Sequence, residues 1–129
     1  MGIPFAIGAK LHHPDRVVVL LCGDFAVGLS LIKMETAVRH RVPIVIVVAN
    51  NDGNSGSLRH RAYLPDHPER VAMFEPGVRY DRIMEALGGY AEHVEQPSEI
   101  RPALQRALAS GRAACVNVRV DPDAPYPVN

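Results

Sequence analysis

The sequence has no tryptophan, only two cysteines, and few aromatic residues, which make up 5% of its 129 positions. The two cysteines, Cys22 and Cys115, lie far apart, and each sits within an apolar run. We therefore expect two buried free thiols and no disulfide, as is typical of a reducing compartment. The start of the sequence also lacks the basic region, apolar core and cleavage site of a signal peptide. These features predict a cytoplasmic protein.

An excess of charge of either sign is also missing. Fourteen basic and fourteen acidic residues give a formal net charge of zero. Such a chain offers no general electrostatic attraction to nucleic acid or to an anionic membrane. No apolar run approaches the ~20 residues of a membrane span, and no internal repeat is found. Nucleic acid and membrane are therefore not expected as partners, and the length predicts a single domain over residues 1–129.

The sequence does show an alternation of strand and helix patterns. Two continuous apolar runs, 16–22 and 44–49, predict strands buried on both faces. The other predicted elements are helices over 2–11, 30–40, 80–87 and 98–109, and strands over 90–95 and 113–120. In the last helix we expect Ser98 to be the N-terminal cap and Leu108 to share the buried stripe. The order predicts an α/β fold, doubly wound, with a mostly parallel sheet and helices on both faces.

Polar residues follow both continuous runs directly. Gly23 and Asp24 come after the first run, and Asn51 and Gly53 come after the second, with Asn51 27 positions beyond Asp24. Two neighbouring parallel strands would bring these residues to the edge where open α/β sheets bind ligands. A carboxylate, an amide oxygen and an accessible glycine carbonyl are oxygen donors of the kind that Mg²⁺ prefers. Free N–H groups in the turn after Asp24 suit a phosphate. The pattern predicts a site for a magnesium-bridged diphosphate.

These residues resemble the thiamine diphosphate signature, which runs from Gly-Asp-Gly to Asn-Asn. Further similarity at residues 34–40, 42–43 and 79–89 is closest to the oxalyl-CoA decarboxylase and 2-hydroxyacyl-CoA lyase branch of these enzymes. The resemblance covers nearly the whole chain, as the carboxy-terminal, diphosphate-binding domain. It implies thiamine diphosphate and Mg²⁺ as cofactors. It also implies three metal ligands, which are Asp24, Asn51 and Gly53.

The third residue of the signature departs from the family pattern. Phe25 stands where glycine is usual and where some members of the branch have serine. The diphosphate would then be met by Gly23 and by the backbone N–H groups of Phe25 and Ala26. The glycine-rich segment of the family that props the cofactor, and the strand before it, are not found in the sequence. We therefore expect a fold truncated at its N-terminus, as in a fragment of a larger enzyme.

The resemblance implies a C–C lyase or decarboxylase that acts on 2-hydroxy- or 2-oxoacyl compounds, including acyl-CoA. In that family the glutamate that activates the cofactor comes from another domain, normally across a subunit interface. No catalytic residue is therefore assigned here, and the chain alone is expected to be inactive. The expected partner is the pyrimidine-binding domain of the same enzyme in another subunit, as in a homo-oligomer. The alternatives are acetolactate synthase, a 2-oxoacid decarboxylase, or a non-catalytic α/β module that binds a nucleotide or partner.

Residues 52–77 contain three glycines and three prolines and predict a loop. We expect Tyr63 and Phe74 to dock this loop onto the domain. Arg59, His60 and Arg61 could meet an anionic acyl-CoA or the diphosphate, but a solvated basic loop is the more ordinary interpretation of these residues.

Overall fold

The computed structural model describes residues 1–54 and 73–122. These two ranges contain four strands, β1 (Val19–Gly23), β2 (Val45–Asn50), β3 (Tyr90–Val94) and β4 (Ala114–Arg119), and five helices, α1 (Gly2–His12), α2 (Asp24–Gly28), α3 (Lys33–Arg39), α4 (Tyr80–Ala86) and α5 (Pro97–Ala109). The strands form one sheet in the order β1-β2-β4-β3, and all three pairings are parallel. The predicted α/β class with a parallel sheet is confirmed.

Helices pack on both faces of the sheet. On one face, residues of α1, α2, α3 and α4 form a core with Ile44, Ile46 and Val48. On the other face, α5 packs through Ala103 and Ala107 against the alternate residues of β2 and β4. The two central strands, β2 and β4, are therefore buried on both sides, and most of their residues are apolar, with buried Asn117 as a polar exception in β4.

Strand β1 differs from its prediction. It begins at Val19, and its burial alternates along the strand. Leu20 and Cys22 pack against the core that contains α1, whereas Leu21 on the opposite side is 71% exposed. Among the described residues, α5 packs chiefly on β3 and β4 and leaves this side of β1 uncovered. The run is apolar on both sides, but the expectation that both are buried is wrong for this strand.

The connection from β1 to β2 contains two helices where one was predicted. Helix α2 begins at Asp24, directly after the strand, and α3 occupies the middle of the predicted helix over 30–40. Gly28 and Ser30 have lower helix propensity than alanine, and they lie where the chain leaves α2 and turns before α3. Tight turns join the two, with the N–H of Ser30 bonded to the carbonyl of Val27.

The N-terminal cap of helix α5 lies two residues earlier than predicted. Gln96 is the N-cap, Pro97 follows it, and the carboxylate of Glu99 accepts a hydrogen bond from the Gln96 N–H at 3.1 Å. Proline favours the first helical position, so the cap falls on the residue before it and not on Ser98. Leu108, predicted to be on the buried stripe, is 43% exposed, and the small side chains of Ala103 and Ala107 face the sheet instead.

Other sequence predictions have mixed outcomes. Cys22 and Cys115 are both free, as predicted, but only Cys115 is buried, whereas Cys22 is half-buried; burial raises the pKa of the Cys115 thiol. Phe74 docks on the domain as predicted, by stacking on Phe25. The predictions for four loop residues lie outside the described residues, namely Arg59, His60, Arg61 and Tyr63. Within residues 1–54 and 73–122, no helix combines the length and apolar character needed to cross a membrane.

Candidate cofactor site

The predicted site residues meet at the carboxyl ends of β1 and β2. These strands are neighbours, with Gly23 paired to Ala49, so the residues that follow each strand lie at the same edge of the sheet. An open cavity of about 340 Å³ lies at this edge. Its lining includes all six residues predicted to bind the cofactor, Gly23, Asp24, Phe25, Ala26, Asn51 and Gly53.

Asp24 links the two strand ends. Its side chain is nearly fully buried, at 1% exposure. One carboxylate oxygen accepts a hydrogen bond from the N–H of Gly53 and the other from the N–H of Phe25, both at 2.9 Å. Burial raises the pKa of Asp24, the two N–H groups oppose this rise, and the charge of Asp52 adds to it. A nearby cation would stabilise the charged form of a carboxylate that is buried in this way.

Gly53 is held between two parts of the chain. Its N–H donates a hydrogen bond to Asp24, and Gly53 also pairs with Met73 in an isolated antiparallel bridge. Next to this bridge, the N–H of Phe74 donates to the carbonyl of Asp52 at 2.9 Å. Asn51, two residues before Gly53, lines the same cavity. The turn 51–53 therefore contacts Asp24 through the Gly53 N–H and contributes Asn51 and Gly53 to the cavity wall.

The donor atoms fit a hard divalent cation. Asp24, Asn51 and Gly53 can supply a carboxylate, an amide and a backbone carbonyl oxygen, and Mg²⁺ commonly adds phosphate and water to such a set. Each Asp24 oxygen accepts one N–H bond and has further lone-pair capacity. Over the two described ranges, no three His, Cys, Asp or Glu side chains converge as a metal site. The oxygen donors of Asp24, Asn51 and Gly53 match magnesium better than a metal that prefers imidazole or thiolate ligands.

Gly23 leaves space on the cavity side. A Cβ atom added there would meet only the carbonyl of Ala49, at 3.9 Å. Packing within the chain therefore does not require glycine at this position, and the missing side chain leaves room for a ligand to approach the backbone.

Phe25 is accommodated by turning its ring toward Phe74. The two rings stack with centroids 6.2 Å apart and an interplanar angle of 18°. The Phe25 N–H donates to Asp24, so one of the two N–H groups predicted to face a phosphate already has a partner. The large residue at the third position of the signature is thus compatible with the cavity.

Three residues near the site were not predicted to have a role. Asp52 lies in the turn between the candidate ligands, and its carboxylate binds the guanidinium of Arg119 at the end of β4. The side chain of Asn50 donates to the carbonyl of Val78 at 2.9 Å and accepts from the N–H of Asp52 at 3.2 Å. Polar residues at the end of a predicted strand, such as Asn50 and Asp52, could have indicated a role in shaping the site. The role of Arg119 could not be predicted, because the sequence does not show that β4 lies beside β2.

Known proteins are similar in sequence to nearly the whole of this chain. The family model of the thiamine pyrophosphate enzyme C-terminal TPP binding domain matches residues 1–118. The acetolactate synthase large subunit IlvG of Mycobacterium tuberculosis is 48% identical over 126 residues, which cover 98% of this chain and 23% of that protein. The 2-hydroxyacyl-CoA lyase of Oryza sativa subsp. japonica is 36% identical over 129 residues, covering 96% of this chain and 22% of that protein.

A third relative, the benzoylformate decarboxylase of Pseudomonas aeruginosa, is 32% identical over 117 residues, covering 91% of this chain and 22% of that protein. The chain thus spans less than a quarter of the length of these relatives. The resemblance to thiamine diphosphate enzymes is confirmed, and the cofactor of that family is thiamine diphosphate with Mg²⁺. The chain belongs to the thiamine pyrophosphate enzyme family, as a C-terminal TPP-binding domain.

Proposed function

We propose that this chain anchors the magnesium-bridged diphosphate of thiamine diphosphate in an enzyme that cleaves or forms a C–C bond beside a carbonyl. The substrate class is a 2-hydroxy- or 2-oxoacyl compound, including acyl-CoA. One observation carries the proposal: Asp24, Asn51 and Gly53 line one cavity at the ends of two adjacent parallel strands.

Each residue of the site has a defined part in this proposal. Asp24, Asn51 and Gly53 bind the cation through oxygen atoms, while Gly23 and Ala26 leave backbone accessible to the diphosphate. The bound cofactor supplies a carbanion-stabilising electron sink. The chain itself binds and orients the cofactor, and the hydrogen bonds from Gly53 and Phe25 hold the Asp24 carboxylate in place for the cation.

A further domain is needed for catalysis in this proposal. The relatives are more than four times as long as the matched region, which supports a pyrimidine-binding domain elsewhere in the native enzyme. Leu29 and Ile32, which follow α2, are 65% and 68% exposed, and apolar side chains of this kind suit coverage by a partner. We expect that partner to be in another subunit of a cytoplasmic homo-oligomer, and the isolated chain to be inactive.

The reaction has three candidates within the family. Our first choice is the 2-hydroxyacyl-CoA lyase branch, because residues 79–89 resemble it. Acetolactate formation is the alternative, because the chain is 48% identical to an acetolactate synthase. A 2-oxoacid decarboxylase is the third, with 32% identity to a benzoylformate decarboxylase. Product analysis after incubation of the native polypeptide with 2-hydroxyacyl-CoA, and separately with 2-oxoacids, distinguishes the three.

Calorimetric titration of thiamine diphosphate into the native polypeptide that carries this sequence tests the anchoring role. We expect binding with Mg²⁺, loss of binding with a chelator, and at least a 100-fold weaker affinity in Asp24→Ala. The matched control is Asp15→Ala, which removes an exposed carboxylate from the turn before β1, whereas Asp24 follows the opposite end of that strand. Binding of an adenine nucleotide that survives Asp24→Ala, without thiamine diphosphate binding in the parent protein, would instead support a non-catalytic module.

A further inference from the structure

We propose that Arg119 is a positioning residue that sequesters the Asp52 carboxylate, so that of these two carboxylates in the described part of the site Asp24 alone binds the cation. This inference rests on the proposed function, because it concerns the same metal site. It adds a residue from β4 to a site that the signature builds only from the ends of β1 and β2.

The ion pair between Asp52 and Arg119 is close and bidentate. The two guanidinium nitrogens donate to the two carboxylate oxygens at 2.6 and 2.8 Å. The pair is largely shielded from water, with side-chain exposures of 30% for Arg119 and 8% for Asp52. Arg119 reaches Asp52 because it is in register with Asn50 in the β2–β4 pairing. Paired hydrogen bonds of this geometry hold the carboxylate in one orientation and stabilise its negative charge.

Asp52 also determines the shape of the turn that carries Asn51 and Gly53. Its φ of +57° lies in the left-handed region, which residues other than glycine adopt infrequently. Contacts from several segments hold it there. Its N–H donates to Asn50, its carbonyl accepts from Phe74, and its carboxylate accepts from the N–H of Gly77 at 3.0 Å.

Charge explains why the orientation of Asp52 matters. The residue lies between two candidate metal ligands, and its carboxylate is close enough to Asp24 for the two charges to interact. With both oxygens bound to Arg119, Asp52 faces β4. We expect that without the guanidinium the Asp52 carboxylate, which also accepts a hydrogen bond from the N–H of Gly77, can turn toward the cation as a second carboxylate ligand. Additional carboxylate oxygens favour Ca²⁺, which accepts six to eight ligands, over the strictly octahedral Mg²⁺.

The test compares thiamine diphosphate binding by the native polypeptide in Mg²⁺ and in Ca²⁺. We expect Arg119→Gln to weaken Mg²⁺-supported binding about 10-fold and to shift the ratio of Ca²⁺- to Mg²⁺-supported affinity about 10-fold toward Ca²⁺. Adding Asp52→Asn to that variant should return the ratio to within about 3-fold of the parent value. Arg119→Lys, which keeps the charge but loses the bidentate geometry, should give an intermediate ratio.

The matched control is Arg106→Gln, because Arg106 makes a similar two-point ion pair with Glu92, at 2.7 and 3.0 Å, between α5 and β3. Thermal melting without cofactor checks that each variant is folded, and Arg119→Lys serves if Arg119→Gln does not fold. An unchanged cation ratio in the Arg119 variants would overturn the proposal, whether or not the affinity falls. Failure of the double variant to restore the ratio would also overturn it. Absence of binding by the parent protein would refute the proposed function itself, and the inference with it.

Discussion

Asp24 is a residue whose proposed role as a metal ligand carries a cost in stability. It is buried, and burial raises its pKa despite hydrogen bonds from Gly53 and Phe25. A carboxyl group with a raised pKa makes the folded state less stable as the pH rises above the ordinary value for aspartate, because the charged form is disfavoured in the fold. A cation bound at the carboxylate would offset that cost.

We predict that the Phe25 side chain contributes more to stability than to cofactor binding. Its ring stacks on Phe74, whereas its contribution at the site is a backbone N–H bonded to Asp24. We therefore expect Phe25→Ala to lower the free energy of unfolding by about 1 kcal/mol, the usual scale of an aromatic pair. Calorimetry should show affinity for thiamine diphosphate within about 3-fold of the parent. Phe74→Ala is the control, with a similar loss of stability, and a large loss of affinity in Phe25→Ala alone would show that the ring contacts the ligand.

Asp81 should make the fold sensitive to acid. Burial acts to raise its pKa, but hydrogen bonds from Arg79 and Asn117 outweigh burial and hold the pKa below its usual range. A lowered pKa means that the stabilisation is present above about pH 4, the ordinary value for aspartate, and is lost as the pH falls through the lower value of the folded state.

Asp81→Asn tests this dependence. At pH 7 the variant should be about 2 kcal/mol less stable, because the hydrogen bonds from Arg79 and Asn117 lose their charged acceptor. The difference should shrink as urea unfolding is repeated from pH 5 down to pH 2. A difference that stays constant with pH would contradict the assignment, and Asp15→Asn serves as the exposed control.

Among the elements, α5 shows how a local cap is chosen. The Glu99 carboxylate accepts the N–H of Gln96, whereas Ser98 lies inside the first turn. We expect Glu99→Ala to reduce the free energy of unfolding by about 1 kcal/mol. Ser98→Ala, the matched substitution one residue away, should change it by less than about 0.5 kcal/mol. Urea denaturation measures the free energy of unfolding of both variants. A larger decrease in Ser98→Ala than in Glu99→Ala would show that Ser98 is the cap.

The sequence predicts the elements best where burial is complete. Strand β2 is a continuous apolar run that is buried on both faces, and it lies within one residue of its predicted position. Strand β1 has a similar run, but Leu21 is exposed because coverage depends on which helices pack above it. Helix α2 was not predicted as a separate element. Its five residues are too few for a periodic pattern, and they follow β1 without a loop.

At the scale of the whole molecule, part of the site could be predicted and part could not. The ends of β1 and β2 are consecutive in the alternation of elements, so the proximity of Asp24 to Gly53 follows from one strand–helix–strand unit. The pair between Asp52 and Arg119 depends on the strand order β1-β2-β4-β3. Local patterns carry no information on that order, because contacts between residues 67 positions apart are decided by the packing of the complete sheet.

The binding of the cation is the central claim, and its position can be measured directly. Crystals of the native polypeptide grown with thiamine diphosphate and Mn²⁺, in place of Mg²⁺, would locate the metal by anomalous scattering. We predict one peak at coordination distance from oxygen atoms of Asp24, Asn51 and Gly53, with Phe25 still stacked on Phe74 and Asp52 still bound to Arg119. A cofactor-associated peak elsewhere in the chain, or one without a ligand from Asp24, would contradict the account.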